Sequence, residues 1–470
     1  MRISTIFHRD RKGTGSRAEN REGDKAGSRA SDRTRSWMEQ AGILLFWLAV
    51  WAGLALAVGN KLILASPWEA GAEFLRLLTE SSFYMAVGNS LLRIALGFLG
   101  GLGAALFLAV ESSRHPFLEK LLEPFMSLIK AVPVASFVVL LLLWWGADFL
   151  STAICFLIVL PNLYISTLEG LKSTDRRLLE MAEVFGMSYG NRFLYIYRPG
   201  LRPFLCGSLK VALGMCWKSG VAAEVIAVPD ATIGEQLYLS KIYLDTAGLF
   251  AWTTAIICLS VCFERLVLYL AERFFEWRPE KAAEGRRGKR TEGEAPGGIR
   301  LERVTKRFGD VEVLKDVTEE YPTGRVSLLT TPSGSGKTTR LLLAAGVLTP
   351  DGGRVQRPGR VSMAFQEDRL CEEETAVRNV ALVTGDREKA RRALLRVLPA
   401  GALDKPCGQL SGGQKRRVAV VRAMEAASGA VLLDEPYGGL DPESRKRTAE
   451  YIRESCRGRA VVIATQIAEE

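Results

Sequence analysis

The chain changes its hydrophobic pattern once, and decisively. Apolar runs near residues 43–64, 85–110, 122–145, 149–171, 201–227 and 247–270 reach the length of about 20 residues that crosses a bilayer. They predict six transmembrane helices. The third and fourth are separated only by a turn at Gly146, Ala147 and Asp148, with Trp144 and Trp145 where an interfacial aromatic belt would sit. Past Trp277 the chain turns to Lys, Arg, Glu, Gly and Pro without periodicity, which reads as a hydrophilic linker over 278–297. Beyond it, short β-rich runs at 326–330, 361–365, 430–433 and 461–464 alternate with helical stretches. That alternation predicts an α/β domain with a largely parallel sheet. The expected organisation is a tail over 1–40, an all-α polytopic membrane domain over 41–277, the linker, and the α/β domain over 298–470.

Charge orients this layout. The chain carries 62 Lys and Arg against 52 Asp and Glu, a formal +10. Half of that excess lies in the first 37 residues, ten basic and five acidic among Gly and Ser, which reads as a disordered basic tail. Because an apolar segment follows, the tail reads as an orientation signal for the membrane, and no nucleic-acid partner is expected. The segment between the fourth and fifth runs carries Lys172, Arg176, Arg177, Arg192, Arg198, Arg202 and Lys210, whereas the segments assigned outside carry Arg76 and Lys241. Positive charge marks the cytoplasmic side, so both termini are expected in the cytosol. Eight cysteines without a CxxC spacing, and two histidines in all (His8 and His115), argue against a disulfide scaffold, a zinc ribbon and histidine-based catalysis.

Three motifs in the α/β part carry chemistry. A strand at 325–330 runs into Thr331-Pro332-Ser333-Gly334-Ser335-Gly336-Lys337-Thr338-Thr339, with a helix expected over 340–345. This is a phosphate-binding loop in its proper context. Its glycines let successive N–H groups curl around a phosphate, Lys337 reaches the β/γ oxygens, and the Thr338 hydroxyl suits Mg²⁺. Thr331 stands where the first glycine is usual. Downstream, the apolar run Val431-Leu432-Leu433 ends in Asp434 and Glu435, a strand end placing one carboxylate for Mg²⁺ and one to polarise an attacking water. Between them stands Leu410-Ser411-Gly412-Gly413-Gln414 ahead of an apparent helix, able to cap an anion at a helix N-terminus.

With these motifs in view, residues 299–470 resemble the nucleotide-binding domain of ATP-binding-cassette transporters, Ser411, Gly412, Gly413 and Gln414 matching the core of its signature. The resemblance implies that ATP and Mg²⁺ are the cofactors and that Ser333 to Thr339 cradle the phosphates. It implies further that Phe308 stacks on adenine, that Gln366 is the Q-loop glutamine near the metal with Thr338 and Asp434, and that Asp441 closes the D-loop. Glu435, Gln466 and Gln366 are the catalytic set it implies. In the family two such domains meet head to tail, so a homodimer is expected. The family usually has a histidine where this chain has Gln466, and usually continues past the point four residues later where this sequence stops. Gln466 can donate a hydrogen bond but cannot carry a proton as imidazole can, so slow hydrolysis with binding intact is expected.

The membrane part carries its own resemblance. Glu180, Ala182, Gly186, Ile196 and Pro199 match the EAA loop of binding-protein-dependent permeases, with Met181 and Arg198 replacing commoner residues. Residues 178–185 are expected to form a short amphipathic helix ended by Gly186 that meets the ATPase. Asn89 to Arg93, Gly97, Phe98, Pro133, Ala223 and Glu224 resemble the nitrate/sulfonate/taurine permease group. The chain thus looks like a fused permease and ATPase of the cytoplasmic membrane, importing a small solute delivered by an extracytoplasmic binding protein. An ATP-gated signalling or scaffold protein is the alternative, motivated by Thr331, Gln466 and the early stop. Arg93 and Lys218 could together attract an anion, or one of them could simply neutralise Glu224.

Overall fold

The computed structural model describes residues 38–277, 297–332 and 334–466. The basic tail, nearly all of the linker, Ser333 and the last four residues lie outside the described residues. The first part is helical: α1 (Met38–Val58), α2 (Pro67–Leu77), α3 (Ser81–Arg114), α4 (Pro116–Ala131), α5 (Val134–Lys172), α6 (Arg176–Val184), α7 (Tyr189–Arg192), a π-helical turn (Phe193–Tyr197), α8 (Arg198–Ala227), α9 (Ile233–Ile242) and α10 (Thr246–Glu276).

Among the described residues, four of these helices, α1, α3, α5 and α10, are long and apolar enough to cross a membrane. The expected six runs therefore map differently. The 122–145 run is not one helix: it is divided between α4 and the start of α5 across Pro133, whose ring cannot continue a helix and restricts the residue before it. Gly146 (φ 73°, ψ −175°) then kinks α5, so the expected turn is a break inside one 39-residue helix. The 201–227 run does fold as α8, 30 residues long, but Lys210, Lys218 and Glu224 keep it outside the strongly apolar set.

The second part contains β1 (Ile299–Phe308), β2 (Val311–Tyr321), β3 (Val326–Leu329), α11 (Lys337–Ala345), β4 (Gly352–Gln356), β5 (Val361–Ala364), α12 (Ala376–Thr384), α13 (Arg387–Leu395), α14 (Gly412–Glu425), β6 (Ala430–Asp434), α15 (Pro442–Glu454) and β7 (Ala460–Ala464). The four strands expected from sequence form one parallel sheet in the order β3-β7-β6-β5. Strands β6 and β7 are buried along their whole length, as apolar runs covered on both faces should be. A three-stranded antiparallel sheet, β2-β1-β4, stands beside it in sequence and was not expected.

The chain divides into two compact units that do not follow the membrane/soluble boundary of the sequence. One comprises the described residues of Met1–Gly101, Ile129–Val159 and Leu213–Arg265; the other comprises the described residues of Leu102–Leu128, Leu160–Ala212 and Leu266–Glu470. In the first, small residues bring helices together. A Cβ on Gly97 of α3 would lie 2.4 Å from the Thr152 carbonyl of α5, and one on Gly234 would lie 2.2 Å from the Glu224 Cβ. In the second, the ends of the helical segments and the whole α/β part share one fold. Met181, Ala182, Tyr195 and Ile196 belong to the same buried cluster as Val361, Met363 and Leu432 of the sheet.

Candidate functional site

The carboxyl ends of the four parallel strands converge. Beyond β3 comes the phosphate loop, beyond β7 Gln466, at the end of β6 Asp434 and Glu435, and beyond β5 Gln366. The register pairs Leu329 with Ala464, Asp434 with Ala464, and Ala364 with Leu433, so these chain ends stand side by side. Crevices at the carboxyl edge of a parallel sheet are where such folds bind ligands. Here a cavity of about 260 Å³ is lined by Gly334, Gly336, Lys337, Thr338, Thr339, Gln366, Asp434, Glu435 and Gln466, with Val313.

Local chemistry shapes each member. Gly336 has φ +80° and caps α11, and a Cβ there would lie 2.8 Å from Leu314, so only glycine meets both the torsion and the packing. That left-handed residue starts the helix at Lys337, earlier than expected. The buried Lys337 ammonium donates to the carbonyls of Thr331 and Pro332, and the Thr331 and Ser335 hydroxyls lie 2.6 Å apart. Thr331 therefore closes the loop with a side-chain bond that glycine could not make. Glu435 takes a left-handed backbone (φ 47°), with its N–H donating to the Ala464 carbonyl at 2.8 Å. A non-glycine residue there stores strain that the surrounding strands must hold.

Asp434 is 1% exposed, and burial pushes its carboxyl above the usual carboxylate range, against the hydrogen bond from Thr338. Its Oδ2 is buried without a hydrogen-bond partner. A hydroxyl beside an orphaned carboxylate oxygen is a hard-oxygen donor set of the kind that suits Mg²⁺, which binds through one or two carboxylates and keeps its other positions for phosphate and water. The residues fit that ion.

A second contact is built on α6. Asp175 caps its start by accepting the Arg177 N–H at 2.8 Å, and Gly186 (φ +61°) ends it: the Met187 N–H bonds the Ala182 carbonyl and the Gly186 N–H that of Glu183. Glu180 accepts from Arg369 at 2.9 Å, and Arg177 pairs with Glu367 at 2.8 Å. Arg369 also lies over the Phe365 ring at 3.8 Å. The same short segment is gripped from α14. Arg416 donates to the carbonyls of Phe365 and Gln366, and Arg422 to those of Asp368 and Arg369. Arg422 is wholly buried, its pKa pushed down to about 10 by that burial, and it stands over the Phe185 ring at 5.1 Å. Residues 365–369 thus join the cavity, through Gln366, to α6, through Glu367 and Arg369.

Comparison with known proteins agrees with this geometry. Residues 101–276 match the model of the binding-protein-dependent transport system inner membrane component, and residues 314–438 match the ABC transporter model. The phosphonates import ATP-binding protein of Natronomonas pharaonis is 34% identical over 171 residues, 32% of this chain and 73% of that protein. The chain belongs to the ABC transporter family. The sulfate/thiosulfate import ATP-binding protein of Synechococcus elongatus is 37% identical over 175 residues, 33% of this chain and 51% of its own length. The chain spans about half the length of that relative. A solved dimeric ATP-binding cassette in a post-hydrolysis state, bound to ADP and Pi, matches with 27% identity and a TM-score of 0.34, covering 36% of this chain and 88% of that one.

Ser411 and Gln414 form a reciprocal capping box at the start of α14, and none of Ser411, Gly412, Gly413 or Gln414 lines the cavity. Asp441 caps α15 through the Ser444 N–H, which holds its carboxyl below the usual range. Phe308 ends β1, 47% exposed, with the Lys306 ammonium 5.7 Å from its ring, and does not line the cavity. Ser333 lies outside the described residues. Pro199 lines a separate cavity of about 410 Å³ with Glu367 and Arg369. Sequence reasoning missed Arg177, Glu367, Arg369, Arg416 and Arg422, because their partners are backbone carbonyls and charges distant in sequence, which no spacing announces.

Proposed function

We propose that this chain is the fused permease and ATPase of an importer that drives a small solute across the cytoplasmic membrane with ATP. Supporting this are the family membership, the convergence of the phosphate loop, Gln366, Asp434, Glu435 and Gln466 on one cavity, and the continuity of that cavity with α6. The last is the observation that carries the reading, since an ATPase with no machine to drive has no need of it.

Lys337 and the loop N–H groups hold the ATP phosphates, Thr339 and Ser333 complete the cradle, and Phe308 stacks on adenine. Thr338 and Asp434, with Gln366 beside them, would hold Mg²⁺, which would supply positive charge to offset that of the phosphates. Glu435 polarises the attacking water. Gln466 donates a hydrogen bond to the γ-phosphate. Because Ser411 to Gln414 stand away from this cavity, each ATP is completed by the signature of a second copy, and the working unit is a homodimer. Closure of the pair moves residues 365–369, and Glu180, Ala182, Gly186, Ile196 and Pro199 carry that movement to the helices. Cargo arrives from an extracytoplasmic binding protein. It is a small anion of the nitrate, sulfonate or taurine kind, a class supported by relatives named for sulfate/thiosulfate and phosphonates import.

The test is Mg-ATP hydrolysis by the full chain in lipid nanodiscs, comparing wild type with Glu435→Gln and Gln466→His. Turnover abolished by Glu435→Gln and raised by Gln466→His is the expected result. Turnover indifferent to Glu435→Gln overturns the assignment.

A further inference from the structure

The sequence grouped Arg93, Lys218 and Glu224 as charges in the outer halves of membrane helices, and the structure gives Arg93 and Glu224 hydrogen-bond partners of their own. Arg93 bonds Asp148 twice, to Oδ1 at 3.1 Å and to the carbonyl at 3.0 Å. Glu224 is fully buried and is engaged elsewhere. Its Oε2 accepts from the Ser90 hydroxyl at 2.6 Å and from the Gly234 N–H at 3.3 Å, where α9 begins. Neither neutralises Lys218. Among the described residues Lys218 is exposed and makes no hydrogen bond or ion pair.

Its depth makes this informative. Lys218 stands nine residues before the end of α8 at Ala227, about 13 Å at the helical rise; with α8 crossing as the sequence expects and Ala227 at the outer boundary, that is near the middle of a hydrocarbon core of about 30 Å. It belongs to an exposed stripe of α8 with Val211, Met215, Ala222 and Ile226, at three- and four-residue spacing. An ammonium at that depth is among the costliest groups to leave against acyl chains, and such residues face a water-filled path. Among the described residues no carboxylate forms an ion pair with it.

We propose that the Lys218 face of α8 lines the solute pathway and that Lys218 is the cation that selects a negatively charged cargo there. The inference rests on the importer reading and adds to it a specificity residue. In a homodimer each copy presents one such lysine to the shared path, while Arg93, already paired with Asp148, is structural.

The experiment places a reporter one turn above the lysine. Ala222→Cys is made in the full chain, with and without Lys218→Met, and reconstituted in nanodiscs. Modification rates are measured with a sulfonate-bearing methanethiosulfonate, its trimethylammonium counterpart and N-ethylmaleimide, after subtracting the parent chain, whose own Cys258 and Cys262 are exposed. The expected result is that the anionic reagent outruns the cationic one at least tenfold with Lys218 present, and loses that preference with Lys218→Met. Modification by N-ethylmaleimide alone would place this face against lipid and overturn the proposal. So would aqueous modification whose charge preference ignores Lys218. ATP hydrolysis and its loss on Glu435→Gln are read in the same preparations, so a failure of the importer reading is distinguished from a failure of this one.

Discussion

The cavity at the sheet edge and the α6 contact lie in the same compact unit and are built in opposite ways. At the edge, backbone does the positioning: the parallel strands in register deliver Gln366, Glu435 and Gln466, each within two residues of a strand end, and the loop leaving β3 delivers Lys337 at the start of α11. At α6, side chains do it: Glu180 reaches Arg369 and Arg177 reaches Glu367 across nearly 190 positions of sequence. The difference teaches where each should be fragile. Register is shared by many hydrogen bonds and resists a single substitution, so the edge fails only when a chemical group is removed. The α6 contact fails when a charge or a turn residue changes.

The largest effect belongs to the edge. Glu435→Gln should lower the rate of phosphate release by about 10²-fold or more, the range of a lost general base, while nucleotide binding, measured by equilibrium titration, persists. If binding is lost as well, the strained backbone at Glu435 is holding the cavity together, and the division between chemistry and scaffold breaks down.

At α6, a double-mutant cycle with Glu180→Ala and Arg369→Ala should give a coupling of about 1 kcal/mol in thermal unfolding, as expected for a partly buried pair in contact. A coupling near zero would mean that burial of Met181 and Ala182 holds α6 without help from charge. Gly186→Ala should cost about 1 kcal/mol through its positive φ alone, because the added Cβ meets nothing closer than Arg360 at 3.6 Å. Calorimetry checks it, and a much larger loss would reveal an unrecognised clash.

The smallest effect is one of pH. Burial raises the Glu425 carboxyl, but the Tyr451 hydroxyl and Arg457 outweigh it, so the folded pKa lies below 4.5. A depressed folded value means that the stability it contributes is whole above that range and is lost as pH falls through it, at less than about 1.4 kcal/mol per pH unit. Glu425→Gln should therefore flatten the acid limb of the unfolding curve below pH 4.5. An unchanged limb would remove Glu425 from the acid response.

How legible was this molecule? The parallel sheet could be read because each strand is an apolar run bounded by turn residues, and the phosphate loop because its glycines, Lys337 and Thr338 are contiguous. The β2-β1-β4 sheet could not be. Strands β1 and β2 are rich in Lys, Arg and Glu, and the pairing needs partners up to 56 positions apart. The 122–145 run misled because hydropathy does not see that Pro133 interrupts helical hydrogen bonding. Phe308 stands at the exposed end of β1, outside the walls of the phosphate cavity, and its expected place at the adenine is carried by the resemblance.

The amino-acid order by itself determined the chemistry available: which residues can cradle phosphate, and where apolar material and positive charge are concentrated along the chain. Those properties are local, set by composition, spacing and backbone preference within a few residues. Only the tertiary structure decided which partners the charged groups take. Arg93 on Asp148, Glu224 on Ser90 and Gly234, and Glu180 on Arg369 are pairings made by packing, and by taking those partners they leave Lys218 exposed. Electrostatic pairing depends on distance in space, which one-dimensional spacing does not contain.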